Sequence, residues 1–323
     1  MSPRVLITDS VFGGFEPERA VLDPLGVELI IASDQSAEAL IAQSADIDGM
    51  LVCFASIPKS VVEAAAAGGA KIIARYGIGY DNIDIEAATC AGIVVTNVPD
   101  YCFDEVADHT MALLLGSVRA VFAAARGVAE GGWEIDHAAV RRVADRRLTI
   151  LGLGGIGRRV AQRAQAFGIE VVGYDPFVKA GEVPGVTVVD SLEEALEAAD
   201  IVSLHVPMTA ENSKLIRAET IAMMKASPIL INTSRGGLVD LDDVVAALGD
   251  GTLSGVALDV TDPEPLPADH PLRTHPHAVV TPHMAFHSVE ATEELQRRAA
   301  QEIARSLRGE PADRPVNPQA RAL

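Results

Sequence analysis

The stretch Gly152-Leu-Gly154-Gly155-Ile-Gly157 constrains this chain more than any other feature. It follows directly on the apolar run Leu148-Thr-Ile-Leu151, which reads as a buried strand, and opens a helical pattern from Arg158 to Phe167 that Gly168 ends. A second strand pattern, Glu170-Val-Val-Gly-Tyr174, comes next, with Asp175 at its tip. Strand, G-x-G-x-x-G, helix, strand, acid is the dinucleotide-binding fingerprint in the context it requires. The glycines let the turn close, let backbone approach a pyrophosphate, and let helix and strand pack tightly. The helix N-terminus, at Gly155, Ile156 and Gly157, offers N–H groups and a positive dipole end to the phosphates. Asp175 is placed to accept hydrogen bonds from the adenosine ribose hydroxyls. A 2′-phosphate there would face a like charge, and one such pair about 4 Å apart costs roughly 4 kcal/mol at an effective dielectric near 20. The expected cofactor is therefore NAD and not NADP.

The chain has 323 residues, more than one core comfortably organises, so two domains are expected. A net charge of −19 would repel a nucleic acid or an anionic membrane, so neither is expected as a partner. Cys53, Cys90 and Cys102 are odd in number and show no metal spacing, which suits a reducing, cytoplasmic compartment and no metal site. No signal peptide precedes the strand-like Val5-Leu-Ile-Thr8.

Strand and helix patterns alternate through the first hundred residues, with strands at Arg4–Thr8, Val27–Ile31, Gly49–Cys53, Lys71–Ala74 and Ile93–Thr96. A helix pattern runs from Pro58 to Ala67. This reads as a parallel α/β domain. A single long apolar helix is expected over about 105–125, buried between domains or subunits, and a polar stretch from Glu130 to Arg147 follows it. Alternation resumes at 148, with strands at Ile201–His205, Ile229–Asn232, Gly255–Val260 and Ala278–Thr281 and helices at Asp240–Gly249 and about Ser288–Leu307. Pro311 to Leu323 reads as a tail.

Open α/β sheets bind ligands beyond the carboxyl ends of their strands. Arg235, in Thr233-Ser-Arg-Gly-Gly237, follows one such strand and can grip a carboxylate with two parallel hydrogen bonds. His283, after Thr281-Pro282, is a natural acid or base near neutral pH. Glu264, stiffened between Pro263 and Pro265, is its candidate partner. A carboxylate bonded to an imidazole fixes its tautomer and favours the protonated ring. Asp259 ends an apolar strand and reads equally well as a buried structural acid or as part of a site. The turn Arg75-Tyr-Gly77-Ile-Gly79-Tyr-Asp81-Asn82 can turn successive N–H groups inward as an anion nest.

Together these residues resemble the D-isomer-specific 2-hydroxyacid dehydrogenase family. The resemblance is carried by Arg75 to Asn82, Asn97-Val-Pro99, Val106-Ala-Asp-His109, Gly152 to Gly157, Asn232 to Asp240, Gly255 to Val260, Glu264-Pro265 and Thr281-Pro-His283. It implies two Rossmann-like, doubly wound parallel-sheet domains with a cleft between them. Residues 1–100 plus 290–323 would form the substrate (catalytic) domain and 101–289 the NAD-binding domain. It implies catalytic Arg235, Glu264 and His283, and carboxylate binding by Ile78, Gly79 and Arg235. Thr110, Val206, Pro207 and Thr233 would line the cofactor, and Asp259 would support the site and contact its nicotinamide end. The implied activity is NAD-dependent interconversion of 2-keto acids and D-2-hydroxy acids by a homodimer.

Some positions depart from the family pattern. Thr149 stands where a glycine is common, and Phe286-His287 where a small, glycine-containing run is common. The aromatic Phe286, with Asp81-Asn-Ile-Asp84 and Phe167-Gly to Tyr174-Asp-Pro176, most resembles the C-terminal-binding-protein branch, which implies an alternative, an NADH-sensing interaction protein with little turnover. Glu264 argues against formate dehydrogenases, which place glutamine there. The absence of a regulatory domain after the last helix argues against a long-type phosphoglycerate dehydrogenase. Phe54, Tyr76, Tyr101, Met284 and Phe286 are expected near the substrate, favouring an apolar side chain larger than methyl.

Overall fold

The computed structural model describes residues 2–134 and 140–322. Residues 135–139, within the expected polar stretch Glu130 to Arg147, lie outside the described residues. The chain divides into two units, Met1–Tyr101 with Ser288–Leu323, and Cys102–His287.

The first unit holds strands β1 (Arg4–Ile7), β2 (Glu28–Ile31), β3 (Gly49–Val52), β4 (Ile72–Arg75) and β5 (Val94–Thr96). They pair in parallel in the order β2-β1-β3-β4-β5. That is the flavodoxin-like order, so the chain reverses direction across the sheet between β1 and β3. The helix Lys59–Gly68 buries Val61, Val62 and Ala65 in a core with Leu6, Met50, Val52 and Ile73. It ends because Gly69 takes a left-handed φ of 109°, which strains any residue with a Cβ. The C-terminal helix Val289–Leu307 packs on the Glu16–Leu22 helix and on β3 and β4, so it belongs to this unit.

The expected tail is in fact docked. Val316 N donates to Val95 O at 2.9 Å, and Thr96 and Pro315 form an antiparallel bridge. Asn317, fully buried, accepts from Val95 N and donates to Thr89 Oγ1 and Ile93 O, closing the edge of β5. Three hydrogen bonds from the one side-chain amide offset the cost of burying it.

The second unit holds β6 (Arg147–Leu151), β7 (Glu170–Tyr174), β8 (Val186–Val188), β9 (Ile201–Leu204), β10 (Ile229–Asn232), β11 (Gly255–Leu258) and β12 (Ala278–Val280). They form one parallel sheet ordered β12-β11-β10-β9-β6-β7-β8. Alternate residues enter opposite cores. Val202, Leu204, Leu230, Val256 and Leu258 join one, while Ile201, Ile231 and Ala257 join the other. A sheet buried on both faces needs continuous apolar runs, which is what these strands carry. Thr149 fits because its hydroxyl donates to Ala195 O at 2.7 Å.

The expected single helix over 105–125 is two helices, Phe103–Val118 and Val121–Ala129, bent by 68°. Ala120 carries the break with a φ of 51°. No proline or glycine stands at that point. The Phe122 ring instead sits where a side chain at Gly116 would be, so a tertiary contact folds the chain back. Among the described residues no single helix is long and apolar enough to cross a membrane.

Candidate active site

The order of strands in the second sheet reverses between β6 and β9, and the glycine loop sits at that switch point. Gly152 has a φ of 95°, and a Cβ there would overlap the carbonyl of His205. A Cβ on Gly157 would overlap the carbonyl of Gly152, so this glycine lets the helix close on the strand. Gly155 faces the Phe103 ring, which is how the Phe103–Val118 helix packs on the Gly155–Ala166 helix. Gly154 differs from all three. Its φ of −74° suits any residue, and a Cβ there would meet nothing within 4 Å. The protein itself makes no demand for glycine at 154, but a pyrophosphate lying against the backbone would. No side chain caps this helix, so its first-turn N–H groups suit an anion. Ile156 is half-buried beside them.

Asp175 is tied to the same loop. Its Oδ2 accepts from Leu153 N at 2.8 Å and its Oδ1 from Phe177 N at 2.9 Å. A carboxylate has about four acceptor positions, so both oxygens can still take ribose hydroxyls. The glycine loop, the open face at Gly154 and this anchored acid fit NAD.

Thr110, Val206, Pro207 and Thr233 occupy the Phe103–Val118 helix and the ends of β9 and β10. Thr110 Oγ1 donates to Val106 O and pairs with Thr233 Oγ1 at 2.9 Å. Ser234 Oγ donates to Val206 O, which joins the β9 and β10 loops. Burial lowers the His205 pKa to about 3, so this ring is neutral, and it pairs with Ser203 Oγ at 2.8 Å. Arg235 leaves the end of β10 with its Nη1 donating to Ser234 O, while Asn232 Nδ2 holds the Arg235 carbonyl at 2.8 Å. Gly236 lies against Thr261 O, where a Cβ would overlap, so the Arg235 turn packs directly on the loop that leads to Glu264.

His283 Nδ1 meets Glu264 Oε1 at 2.6 Å. This contact orients the ring and fixes which nitrogen faces the carboxylate. His283 also adopts a φ of 51°, a left-handed conformation that costs a non-glycine residue of order 1 kcal/mol. Asp259 offsets that cost. It is 1% exposed, and its carboxylate accepts from Thr281 Oγ1 at 2.6 Å, Met284 N at 3.0 Å and Ala285 N at 2.8 Å. The Asp259 carbonyl accepts from His283 N at 2.8 Å. Asp259 therefore clamps both sides of the histidine.

His109, a residue that sequence reasoning placed in a motif without a role, completes the clamp. Its Nε2 lies 3.1 Å from Thr281 Oγ1 and 3.5 Å from Asp259 Oδ1. The signal that could have found it is a histidine just before the apolar run Met111–Leu115, in a chain with a buried strand-end acid.

In the first unit, Ile78 and Gly79 are half-buried at the end of β4. Asn97 Nδ2 holds the Ile78 carbonyl at 2.7 Å and Val98 N holds the Gly77 carbonyl at 3.0 Å. Among the described residues, the N–H groups of Ile78 and Gly79 donate to no protein acceptor. Tyr76 corrects one expectation. It is 1% exposed and gives its hydroxyl to Glu18 at 2.7 Å, so it does not line a substrate surface. Among the described residues no group of three or more His, Cys, Asp or Glu is arranged to hold a metal.

Residues 111–285, more than half of the chain, match the family described as D-isomer specific 2-hydroxyacid dehydrogenase, NAD binding domain. The chain belongs to the D-isomer-specific 2-hydroxyacid dehydrogenase family. It is 36% identical, over 97% of its length, to a D-3-phosphoglycerate dehydrogenase of Methanocaldococcus jannaschii, but spans only 59% of that protein. It is 37% identical to a glyoxylate reductase of Korarchaeum cryptofilum, covering 96% of this chain and 94% of the relative. A D-lactate dehydrogenase of Aquifex aeolicus, solved with NAD and lactic acid, superposes with a TM-score of 0.86 at 26% identity, covering 97% of this chain and 99% of that one. As a family member the chain takes NAD, and the matched segment contains the glycine loop, Asp175, Arg235, Glu264 and His283.

Proposed function

We propose that this chain is an NAD-dependent reductase of 2-keto acids that runs reversibly to D-2-hydroxy acids. The observation that carries the reading is the 2.6 Å His283–Glu264 pair, held on the same carboxyl edge of one sheet as the glycine loop and Arg235. Bound NADH supplies a hydride to the substrate C2. The first unit contributes the N–H groups of Ile78 and Gly79 to the substrate carboxylate. Arg235 shares that carboxylate and polarises the keto oxygen. As the C–O π electrons move to oxygen, His283 Nε2 delivers the proton, and Glu264 stabilises the charged ring before transfer. In the reverse direction the neutral ring takes the hydroxyl proton. Thr110, Val206, Pro207 and Thr233 line the cofactor, while Asp259 supports the nicotinamide end through the His283 loop.

Arg235→Ala tests the assignment. The kcat/KM for the best keto acid should fall about tenfold to 100-fold, the loss of charged hydrogen bonds, with NADH affinity unchanged. Loss of NADH affinity as well would assign Arg235 to the cofactor or to the fold.

Exposed Met208 and Met284, with Phe286 edge-on to His283 at 6.2 Å, support an apolar substrate side chain larger than methyl. Better turnover of glyoxylate or hydroxypyruvate than of phenylpyruvate would contradict that preference. Exposed Val121 and Val128 on the Val121–Ala129 helix support a homodimer through this segment. Sedimentation at micromolar concentration should then show one species of twice the chain mass, and a stable monomer would refute it. The corepressor-like alternative predicts NADH binding without turnover of any keto acid.

A further inference from the structure

Glu18 is fully buried on the Glu16–Leu22 helix, yet the proposed chemistry gives it no role. It joins three elements of the first unit. Its Oε1 accepts from the Tyr76 hydroxyl at 2.7 Å, and both carboxylate oxygens accept from Gln296 Nε2 at 3.0 Å. Gln296 stands on the Val289–Leu307 helix and also donates to Gly14 O at 2.8 Å. Phe12 packs edge-on against the Tyr76 ring at 5.2 Å. Tyr76 immediately precedes Gly77, Ile78 and Gly79, so its ring is the root of the turn whose N–H groups await an anion.

We propose that Glu18 is a positioning residue for this turn, fixing the Gly77–Ile78–Gly79 backbone from behind through the Tyr76 hydroxyl. Other bonds hold the turn's carbonyls. Asn97 takes Ile78 O, Val98 N takes Gly77 O, and Arg75 Nη1 takes Tyr76 O. None of these fixes the rotation of the Tyr76 side chain, which the Glu18 bond does. The direction of the bond is settled. Burial, and then the Glu18 charge, push the Tyr76 phenol well above its ordinary range, so it keeps its proton and donates. Burial likewise raises the Glu18 carboxyl, against the lowering effect of its bonds from Tyr76 and Gln296. A buried carboxylate with its donors in place makes a stiff anchor, and one that loses a donor is left underpaired.

The substrate side of this proposal rests on the carboxylate role given above to Ile78 and Gly79, so the experiment has one readout independent of it. Tyr76→Phe removes only the hydroxyl. Amide hydrogen exchange at Tyr76 and Gly77, whose N–H groups donate to Val52 O and Arg75 O, should quicken about tenfold, with exchange across 152–157 unmoved. KM for the best keto acid should rise about tenfold, while kcat and NADH affinity stay within twofold. Glu18→Gln keeps an acceptor for the phenol and should stay within about threefold of the parent on all counts, whereas Glu18→Leu should match Tyr76→Phe. Unchanged exchange at Tyr76 and Gly77 in Tyr76→Phe would overturn the anchor. Faster exchange with an unmoved KM would keep the anchor and refute the carboxylate role of the turn. If the parent turns over no keto acid, the exchange result alone still decides whether Glu18 holds the turn.

Discussion

His283→Asn is expected to lower kcat for keto-acid reduction about 1,000-fold, within the range that a positioned proton donor contributes. Asparagine is the informative replacement because it tolerates the left-handed backbone that His283 adopts at a φ of 51°. The bonds from Met284 N and Ala285 N to Asp259 should therefore survive, and with them the shape of the loop. Thermal stability and NADH affinity should not change. Proton donation cannot survive, because a neutral amide has no proton to give near neutral pH. A variant that keeps more than about a tenth of the parent kcat would show that another group, or water, protonates the oxygen.

Gly154→Val separates what the fold needs from what the cofactor needs. The backbone angles at Gly154, φ −74° and ψ −162°, are open to valine, and the space beyond its Cα is empty. Folding stability should be unaffected. A branched side chain would stand where the pyrophosphate must approach the backbone, and NADH should bind more than about 100-fold more weakly. Gly157→Ala would not be informative in the same way, since its methyl would overlap the Gly152 carbonyl and disturb the helix start itself. Titration of NADH into Gly154→Val, followed by nucleotide fluorescence, measures the effect. Parent-like affinity would place the dinucleotide elsewhere.

Much of the second unit was legible because its signals are local. A glycine run between a strand and a helix, an acid at the next strand tip, and polar residues after apolar runs are all read within a few positions. Asp175 tied to Leu153 N and His283 tied to Glu264 follow that logic at short sequence separation. What escaped was set by distant partners. The bend at Ala120 comes from a ring packing on Gly116, and neither residue announces it. The docking of 311–322 depends on the open edge of β5, more than two hundred residues earlier in the chain. Strand β8, only three residues long, was too short to show a period. His109 acquires its role only when the fold brings it beside Asp259 and Thr281. Tyr76 looked like a pocket residue because it adjoins the turn, but Glu18 and Gln296 draw its hydroxyl inward.

The most direct test of the central claim is NADH oxidation followed by absorbance against a panel of 2-keto acids, with NADPH in parallel. Turnover on at least one keto acid is expected, with a D-configured hydroxy acid as product and NADH preferred at least about tenfold, because a 2′-phosphate beside Asp175 would meet a like charge. NADH binding without turnover of any keto acid would contradict the claim.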